Sequence, residues 1–406
     1  MISISENLLK IVCKIHTKEI SKIMDLKLKV INLCLIHYGS LSKKTKKEFN
    51  DELKKILGDD TVRKQAVNWF LMKSTNKTKT SSAVQRNLSS INKTDLFFVQ
   101  KFRLLPNKID YINAIKEQVQ YFDSNKIISL LEGKPEGLEK ESERYKKIFS
   151  KKYNEQISKH IVRFVNFIFD YDEFSDKNSA VYSKTWGAYK LTEKLEIRSC
   201  LYCNRNYVLT VTNCGRKIIR PELDHFFPQS RHPILCLSFY NLIPSCHICN
   251  SNLKGKVEFT LDKYFHPYLN SFDKEKIVFT YEPKNPAAFF NNPRGLKIKL
   301  DTKSLARLNL QIEGNIKLFQ LDEIYNSHQD IVEGLMELQR KTNKKKISDI
   351  YNNILVDNMG KKYSMSEKEI YELAIRNYYN EDEFHKKPMA KFERDIALEL
   401  KLITKI

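Results

Sequence analysis

The start of the chain alternates apolar and polar residues with the period of an α-helix. Apolar residues recur three or four positions apart from Ile4 to Ile36, from Thr45 to Leu57 and from Val62 to Met72. A polar stretch at 73–93 then precedes a strand-like segment at 96–105. Three helices followed by a strand fit a winged helix, and they equally fit a small helical bundle with a loop. Both interpretations stay open.

The rest of the chain predicts helices on both sides of a short region of strands. Helical patterns cover residues 111–169 and Trp186 to Leu195. Lys276 to Tyr281 and Leu296 to Leu300 alternate like strands, and prolines mark the turns between them. Four amphipathic helices are then predicted, at Leu321 to Lys341, Ile347 to Val356, Ser366 to Tyr378 and Pro388 to Leu402. We therefore expect an α+β fold that is mostly α.

Length and composition predict a globular protein with several modules. At about 150 residues per domain, a chain of this length suggests two or three domains. We expect a helical N-terminal domain at 1–110 that recognises a target or a partner, and a helical region at 111–190. A central module follows at 191–270, and 271–406 holds a small β insert and a C-terminal helical region.

The charge balance narrows the class of partner. Lys and Arg number 70 against 49 Asp and Glu, a net charge of +21, and such a field attracts nucleic acid. A lysine-rich surface without that partner would have the same composition. No leader pattern opens the chain and no run of about 18 apolar residues follows, so we expect no membrane partner. Eight cysteines in 406 residues are too few for a disulfide scaffold, which favours a cytoplasmic location.

Four of the eight cysteines have the spacing of metal ligands. They form two Cys-x-x-Cys pairs, Cys200 with Cys203 and Cys246 with Cys249. Each pair can present two sulfurs to one point, and a fold that joins the pairs makes a tetrahedral zinc site. Four thiolates leave no open coordination position. The expected Zn²⁺ is therefore structural.

The residues between and after the two pairs resemble a known family. The stretch from Glu222 to Pro228 contains Asp224-His225, and Asn241-Leu242 precedes the second pair, which is followed at once by Asn250 and then by Lys254. In that order these residues resemble an HNH nuclease of the ββα-metal (His-Me finger) group, in its zinc-stabilised form. The resemblance covers about 60 residues. It is highly specific because the motif residues occur in the family's order and are combined with the two cysteine pairs. It implies a central ββα-metal fold with a zinc knuckle, embedded between helical regions.

The chemistry of phosphodiester hydrolysis suits the residue types in this window. A neutral His225 can take a proton from water near pH 7. Asp224 and Asn250 offer hard oxygen ligands, which favour a catalytic Mg²⁺ or Mn²⁺. We expect the strand to end or bend at Asp224-His225, because a regular strand would point the two side chains to opposite faces.

The remaining site predictions concern orientation and substrate binding. By resemblance, Asn241 ties the loop and orients the histidine. A helix starting near His247 would place Asn250 and Lys254 on one face, so that Lys254 contacts phosphate. Lys256 and Arg231 are further candidates for contact with the substrate backbone.

The sequence thus leads to one main hypothesis with alternatives. The main hypothesis is a metal-dependent HNH endonuclease that cuts DNA. The flanks Trp186 to Leu191 and Lys387 to Lys391 resemble those of bacterial defence proteins, which implies anti-phage defence or restriction, with an activating partner such as an ATPase. The alternatives are a zinc-knuckle protein that binds nucleic acid without cutting it, and an HNH nuclease that acts on RNA.

Overall fold

Within the described residues, the protein consists of α-helices interspersed with three short two-stranded sheets. The computed structural model describes residues 1–2, 4–37, 43–70, 108–182, 185–284, 295–302, 309–341, 349 and 365–403. In chain order the α-helices are α1 (Glu6–Ile36), α2 (Lys43–Lys55), α3 (Asp60–Phe70), α4 (Lys108–Tyr121), α5 (Ser124–Glu132), α6 (Pro135–Phe149), α7 (Glu155–Ile168), α8 (Tyr171–Ser175), α9 (Ala188–Leu195), α10 (Asn309–Leu318), α11 (Leu321–Asn326), α12 (Gln329–Lys341), α13 (Glu367–Ile375) and α14 (Ala390–Glu399). The strands are β1 (Val211–Asn213), β2 (Arg216–Ile219), β3 (Glu222–His225), β4 (Leu242–Ser245), β5 (Val278–Pro283) and β6 (Leu296–Asp301). Shorter 3₁₀ helices span Pro233–Leu235, Phe239–Asn241 and Glu381–Lys386, and a π-helix spans Ile248–Lys254.

The predicted class, α+β and mostly α, is confirmed. The three N-terminal helices lie where the apolar pattern places them, and β5 pairs antiparallel with β6 at the predicted strands. The helix expected over 321–341 is instead two helices. Asn326 ends the first one, where its side chain hydrogen-bonds the backbone of Ile298 in β6. The predicted strand at 96–105 and the predicted helix at 347–356 lie outside the described residues, apart from the isolated position 349.

The chain groups into two compact units. The first comprises Met1–Val12, Thr192–Phe226 and Ile243–Ile406. The second comprises Cys13–Leu191 and Phe227–Leu242. Residues 227–242 of the predicted module at 191–270 group with the second unit, and the predicted domain bounds stay a prediction.

The first unit has an aromatic core around the two cysteine pairs. Tyr202 stacks on Phe319 with ring centroids 4.6 Å apart, and Phe259 stacks on Tyr264 at 4.1 Å. Offset and edge-to-face rings of this kind add to the free energy gained by apolar burial. The residues that precede and follow the cysteines are thus anchored in a packed interior.

The second unit is built from amphipathic helices, of which α7 is a clear case. Asn154 caps its N-terminus by accepting a hydrogen bond from the backbone N–H of Ile157. Its apolar residues, three or four apart, are buried from Ile157 to Ile168. No helix among the described residues is long and apolar enough to cross a membrane.

Candidate metal centre and active site

The four cysteines of the two predicted pairs come together in the first unit. Cys200, Cys203, Cys246 and Cys249 are all buried, and their sulfurs lie within 4.8 Å of one another. A tetrahedral Zn²⁺ with bonds of about 2.3 Å needs sulfurs about 3.8 Å apart, so the cluster matches a structural zinc site. The predicted cluster is confirmed as a group that could hold such a metal.

Backbone and side-chain N–H groups point at these sulfurs, as they do around bound thiolates. The backbone N–H of Cys246 donates to Sγ of Cys200 at 3.3 Å, and that of Arg205 donates to Sγ of Cys203 at 3.4 Å. The Asn206 amide donates to Sγ of Cys246 at 3.3 Å. Donors of this kind stabilise negative charge on sulfur and orient metal ligands.

The thiol pKa values show how strongly the four sulfurs interact. Hydrogen bonds from Cys200 and the other two thiols hold the pKa of Cys246 far below its usual range. Hydrogen bonding to Cys200, Cys203 and Cys246 raises the pKa of Cys249. Four sulfurs this close cannot all carry charge without a cation among them, whereas a bound Zn²⁺ deprotonates its thiol ligands.

The C-terminal segment braces the first cysteine pair. Asn204, one residue beyond it, has a left-handed conformation with φ 49°. Its side-chain amide donates to the carbonyls of Phe384 and Lys387, and its own carbonyl accepts from the N–H of Met389 at 2.6 Å. The Tyr325 hydroxyl donates to the carbonyl of Cys203 at 2.7 Å. Residues nearly two hundred positions away in sequence thus fix this turn.

The Asp224-His225 pair ends a short strand beside this centre. β3 pairs with β4 and stops at His225, and bends follow at 226 and 227, as the sequence predicts. Since side chains alternate along a strand, Glu222 and Asp224 share one side. That side contacts the π-helix, because Asn250 donates to Glu222 at 2.9 Å and Lys254 donates to Asp224 at 2.6 Å.

The Asp224 carboxylate is buried between two donors. The Tyr202 hydroxyl donates to its Oδ2 at 2.6 Å, and the Lys254 ammonium donates to its Oδ1 at 2.6 Å. Tyr202 lies between the two cysteines of the first pair, and Lys254 lies five residues after Cys249. Both cysteine pairs therefore hold this carboxylate through a neighbouring side chain.

Lys254 differs from its expected position at the substrate surface. Its side chain is only 2% exposed, its ammonium also donates to the carbonyl of His225 at 2.6 Å, and it lies 4.7 Å from the ring centroid of Phe259. The segment is a π-helix rather than the expected α-helix, closed by a bond from the N–H of Gly255 to the carbonyl of Asn250. As placed, this lysine binds protein groups and is not presented to phosphate.

A Mg²⁺ or Mn²⁺ at the predicted site would compete with side chains that already bind Asp224, and this ion stays a prediction. Both oxygens of Asp224 accept hydrogen bonds, and the cation that the carboxylate faces is the Lys254 ammonium. The Asn250 amide nitrogen is engaged with Glu222. A divalent ion at Asp224 would have to displace the lysine.

The other predicted site residues lie as follows. Asn241, in the second unit, accepts from the N–H of Phe227 at 2.7 Å and donates to the carbonyls of Phe227 and Leu235. Its amide thus ties the loop, while its effect on His225 stays a prediction. Lys256 and Arg231 are exposed, and their contact with substrate stays a prediction. His225 is half-buried.

Sequence reasoning missed two residues of this site, Tyr202 and Glu222. Glu222 accepts hydrogen bonds from His247, at 2.7 Å, and from Asn250. Burial alone would raise the pKa of its carboxyl group, but the hydrogen bonds outweigh burial and the pKa is lowered. A signal existed for both. Tyr202 sits inside a Cys-x-x-Cys turn, and Glu222 precedes Asp224 by the two residues that share a strand face.

Comparison with known proteins gives one short likeness. No family model matches, and no solved structure matches. A segment of 71 residues is 35% identical to Protein ea31 of Escherichia phage lambda. The segment is 16% of this chain and 24% of the phage protein, so the chain spans about a quarter of that relative's length.

Proposed function

We propose that the protein is an endonuclease of the HNH type that hydrolyses phosphodiester bonds in DNA. The observation that carries this proposal is the position of Asp224-His225 at the end of a short strand whose carboxylate is held by side chains of both cysteine pairs. The sequence order around these residues resembles the HNH family. The net charge of +21 suits a polyanionic substrate.

In the proposed reaction, His225 takes the proton of a water molecule that attacks phosphorus. A P–O bond forms, the opposite P–O ester bond breaks, and the leaving oxygen is protonated from solvent. A Zn²⁺ held by all four thiolates would have no open position and would take no part in this step. Asp224, fixed by Tyr202 and Lys254, places the end of the strand and hence the histidine beside it.

The role of the nuclease follows from the same resemblance. We propose anti-phage defence or restriction, with a partner protein such as an ATPase as activator. Expression in a phage-sensitive bacterium tests this role, because wild-type protein should lower the efficiency of plating and the His225→Ala variant should not. Equal plating on both strains would contradict it.

A second function is favoured by one specific observation. Because Lys254 and Tyr202 occupy the Asp224 carboxylate, the same fold could bind nucleic acid through its zinc knuckle without cutting it. In that case Asp224 and His225 only stabilise the fold.

One cleavage experiment separates these functions. Labelled duplex DNA, single-stranded DNA and tRNA are incubated with the protein, either with Mg²⁺ or in buffer without added Mg²⁺ and without a chelator that would strip the zinc. The proposal predicts that wild type cuts duplex DNA and that His225→Ala does not. The control variant His160→Ala, which alters a half-buried histidine in the second unit, should cut like wild type. Cutting of tRNA alone would identify an RNA nuclease, and binding without cutting would favour the second function. A strict need for Mg²⁺ would mean that Lys254 releases Asp224.

A further inference from the structure

The hairpin of β1 and β2 is a surface feature that the sequence analysis did not predict. β1 and β2 pair antiparallel, with Asn213 opposite Arg216, and a two-residue turn joins them. The turn residues Cys214 and Gly215 have φ 47° and 78°, which is the pairing of positive angles that a tight hairpin turn prefers. The two strands form a sheet of their own, so the hairpin is a narrow ribbon.

Apolar side chains on and next to this ribbon are exposed to solvent. Tyr207 is 59% exposed, Leu209 38%, Ile218 48% and Ile219 52%. Ile218 and Ile219 lie on β2, whereas Tyr207 and Leu209 lie in the segment that leads into β1, and all four fall within thirteen consecutive residues. Contiguous exposed apolar residues mark surfaces that contact a partner.

The charge of the ribbon indicates what that partner is. Arg216 and Lys217 lie on β2, Arg220 follows it directly, and no Asp or Glu occurs between Asn206 and Pro221. Phosphate groups are the complement of such a surface, and thymine methyl groups and sugar faces accept apolar side chains. A two-stranded β-ribbon is also narrow enough to enter the major groove of duplex DNA, which is about 12 Å wide.

The ribbon is joined directly to the strand of the candidate active site. Ile219 ends β2 and Glu222 begins β3, so two residues separate them, and both strands belong to the first unit. A duplex held on the ribbon would therefore lie next to the strand that ends at His225.

We propose that the β1–β2 hairpin is a binding arm that enters a groove of duplex DNA and holds it beside β3. As a statement about substrate class the inference rests on the proposed function, but binding by the arm does not require cleavage. Arg216 and Lys217 contact phosphates on either side of the groove, and the isoleucines contact the groove wall.

Fluorescence anisotropy in buffer without added Mg²⁺, and without a chelator that would strip the zinc, tests the arm with the full chain and a short fluorescein-labelled DNA duplex. The Arg216→Gln/Lys217→Gln variant should bind at least about tenfold more weakly and, since each lost phosphate contact lowers the salt slope by about 1, its slope should fall by about 2. Ile219→Ser should weaken binding without changing the slope. A charge-matched control, Lys317→Gln/Lys341→Gln, removes two exposed lysines from helices of the same unit and should bind like wild type.

The outcomes distinguish the arm from the nuclease. Equal zinc content and equal circular dichroism show that each variant is folded. If the hairpin variant binds duplex DNA as tightly as wild type, the arm is refuted even where wild type cuts DNA. If wild type binds duplex DNA through the arm and never cuts it, the nuclease is refuted and the arm stands. If wild type binds single-stranded DNA as tightly as duplex DNA, or binds only protein, the arm is not a binding site for duplex DNA.

Discussion

The buried pair of Lys254 and Asp224 allows a quantitative test of the site's construction. The two side chains are 2% and 4% exposed, and their charged atoms are 2.6 Å apart. Lys254→Met leaves the carboxylate buried with only the Tyr202 hydroxyl as a donor. Removing one partner of a buried pair costs about 3–5 kcal/mol, because the other charge stays desolvated. The double variant Lys254→Met/Asp224→Asn removes both charges and should recover most of that loss.

The stability of each unit can be measured separately. The chain has two tryptophans, Trp69 and Trp186, and both lie in the second unit. Release of zinc in urea reports on the first unit, and tryptophan fluorescence reports on the second. With an m-value of about 1–3 kcal/mol per molar urea, Lys254→Met should lower the midpoint of zinc release by at least about 1 M.

A matched control and a clear refutation accompany this prediction. Lys256→Met changes an exposed lysine two residues away and should alter the free energy of unfolding by no more than about 0.5 kcal/mol. If Lys254→Met releases zinc at the wild-type midpoint, the pair does not hold the strand as described. The same conclusion follows if the double variant loses as much stability as Lys254→Met and Asp224→Asn lose together when each is made alone.

Three further predictions follow from the same structure. Tyr202→Phe removes a hydrogen bond to a buried carboxylate and should cost about 1.5–3 kcal/mol in zinc-release experiments while leaving one zinc per chain. Cys246→Ser should lose the zinc, measured by metal analysis, and melt the first unit, measured by circular dichroism. A Cys214→Ser control changes an exposed cysteine outside the cluster and should do neither. Burial lowers the pKa of His16 to about 4 from 6.5, so the unfolded state binds the proton first and the second unit should lose about 1.4 kcal/mol per pH unit between pH 6.5 and 4. Tryptophan fluorescence in urea measures this loss, and a wild-type slope no steeper than that of His16→Gln would contradict it.

The sequence predicted the parts of the site that depend on short spacing. Each Cys-x-x-Cys pair is one turn, and the order of Asp224-His225, Asn241 and Asn250 is readable along the chain. The strand end at His225 also follows from local chemistry. Such features need no knowledge of which distant segments meet.

The parts that the sequence did not predict depend on long-range contacts. In the sequence, Lys254 has the spacing of a surface lysine on a helix. Only the π-helix and the contact with Asp224, thirty residues earlier, show that it is buried. Asn204 is fixed by carbonyls about 180 residues away, which no periodicity reveals. The β1–β2 hairpin was missed because its strands have only three and four residues. The Cys214-Gly215 turn, with β-branched residues on each side at 211–212 and 218–219, is a usable signal.

The central claim is that His225 performs hydrolysis on a scaffold that the zinc site and Asp224 hold in place. The most direct test measures the nicking of supercoiled plasmid DNA by wild type and by His225→Ala, with zinc counted in the same two preparations. We expect equal zinc in both proteins and nicking only by wild type. Nicking by His225→Ala at the wild-type rate, with its zinc intact, would contradict the account.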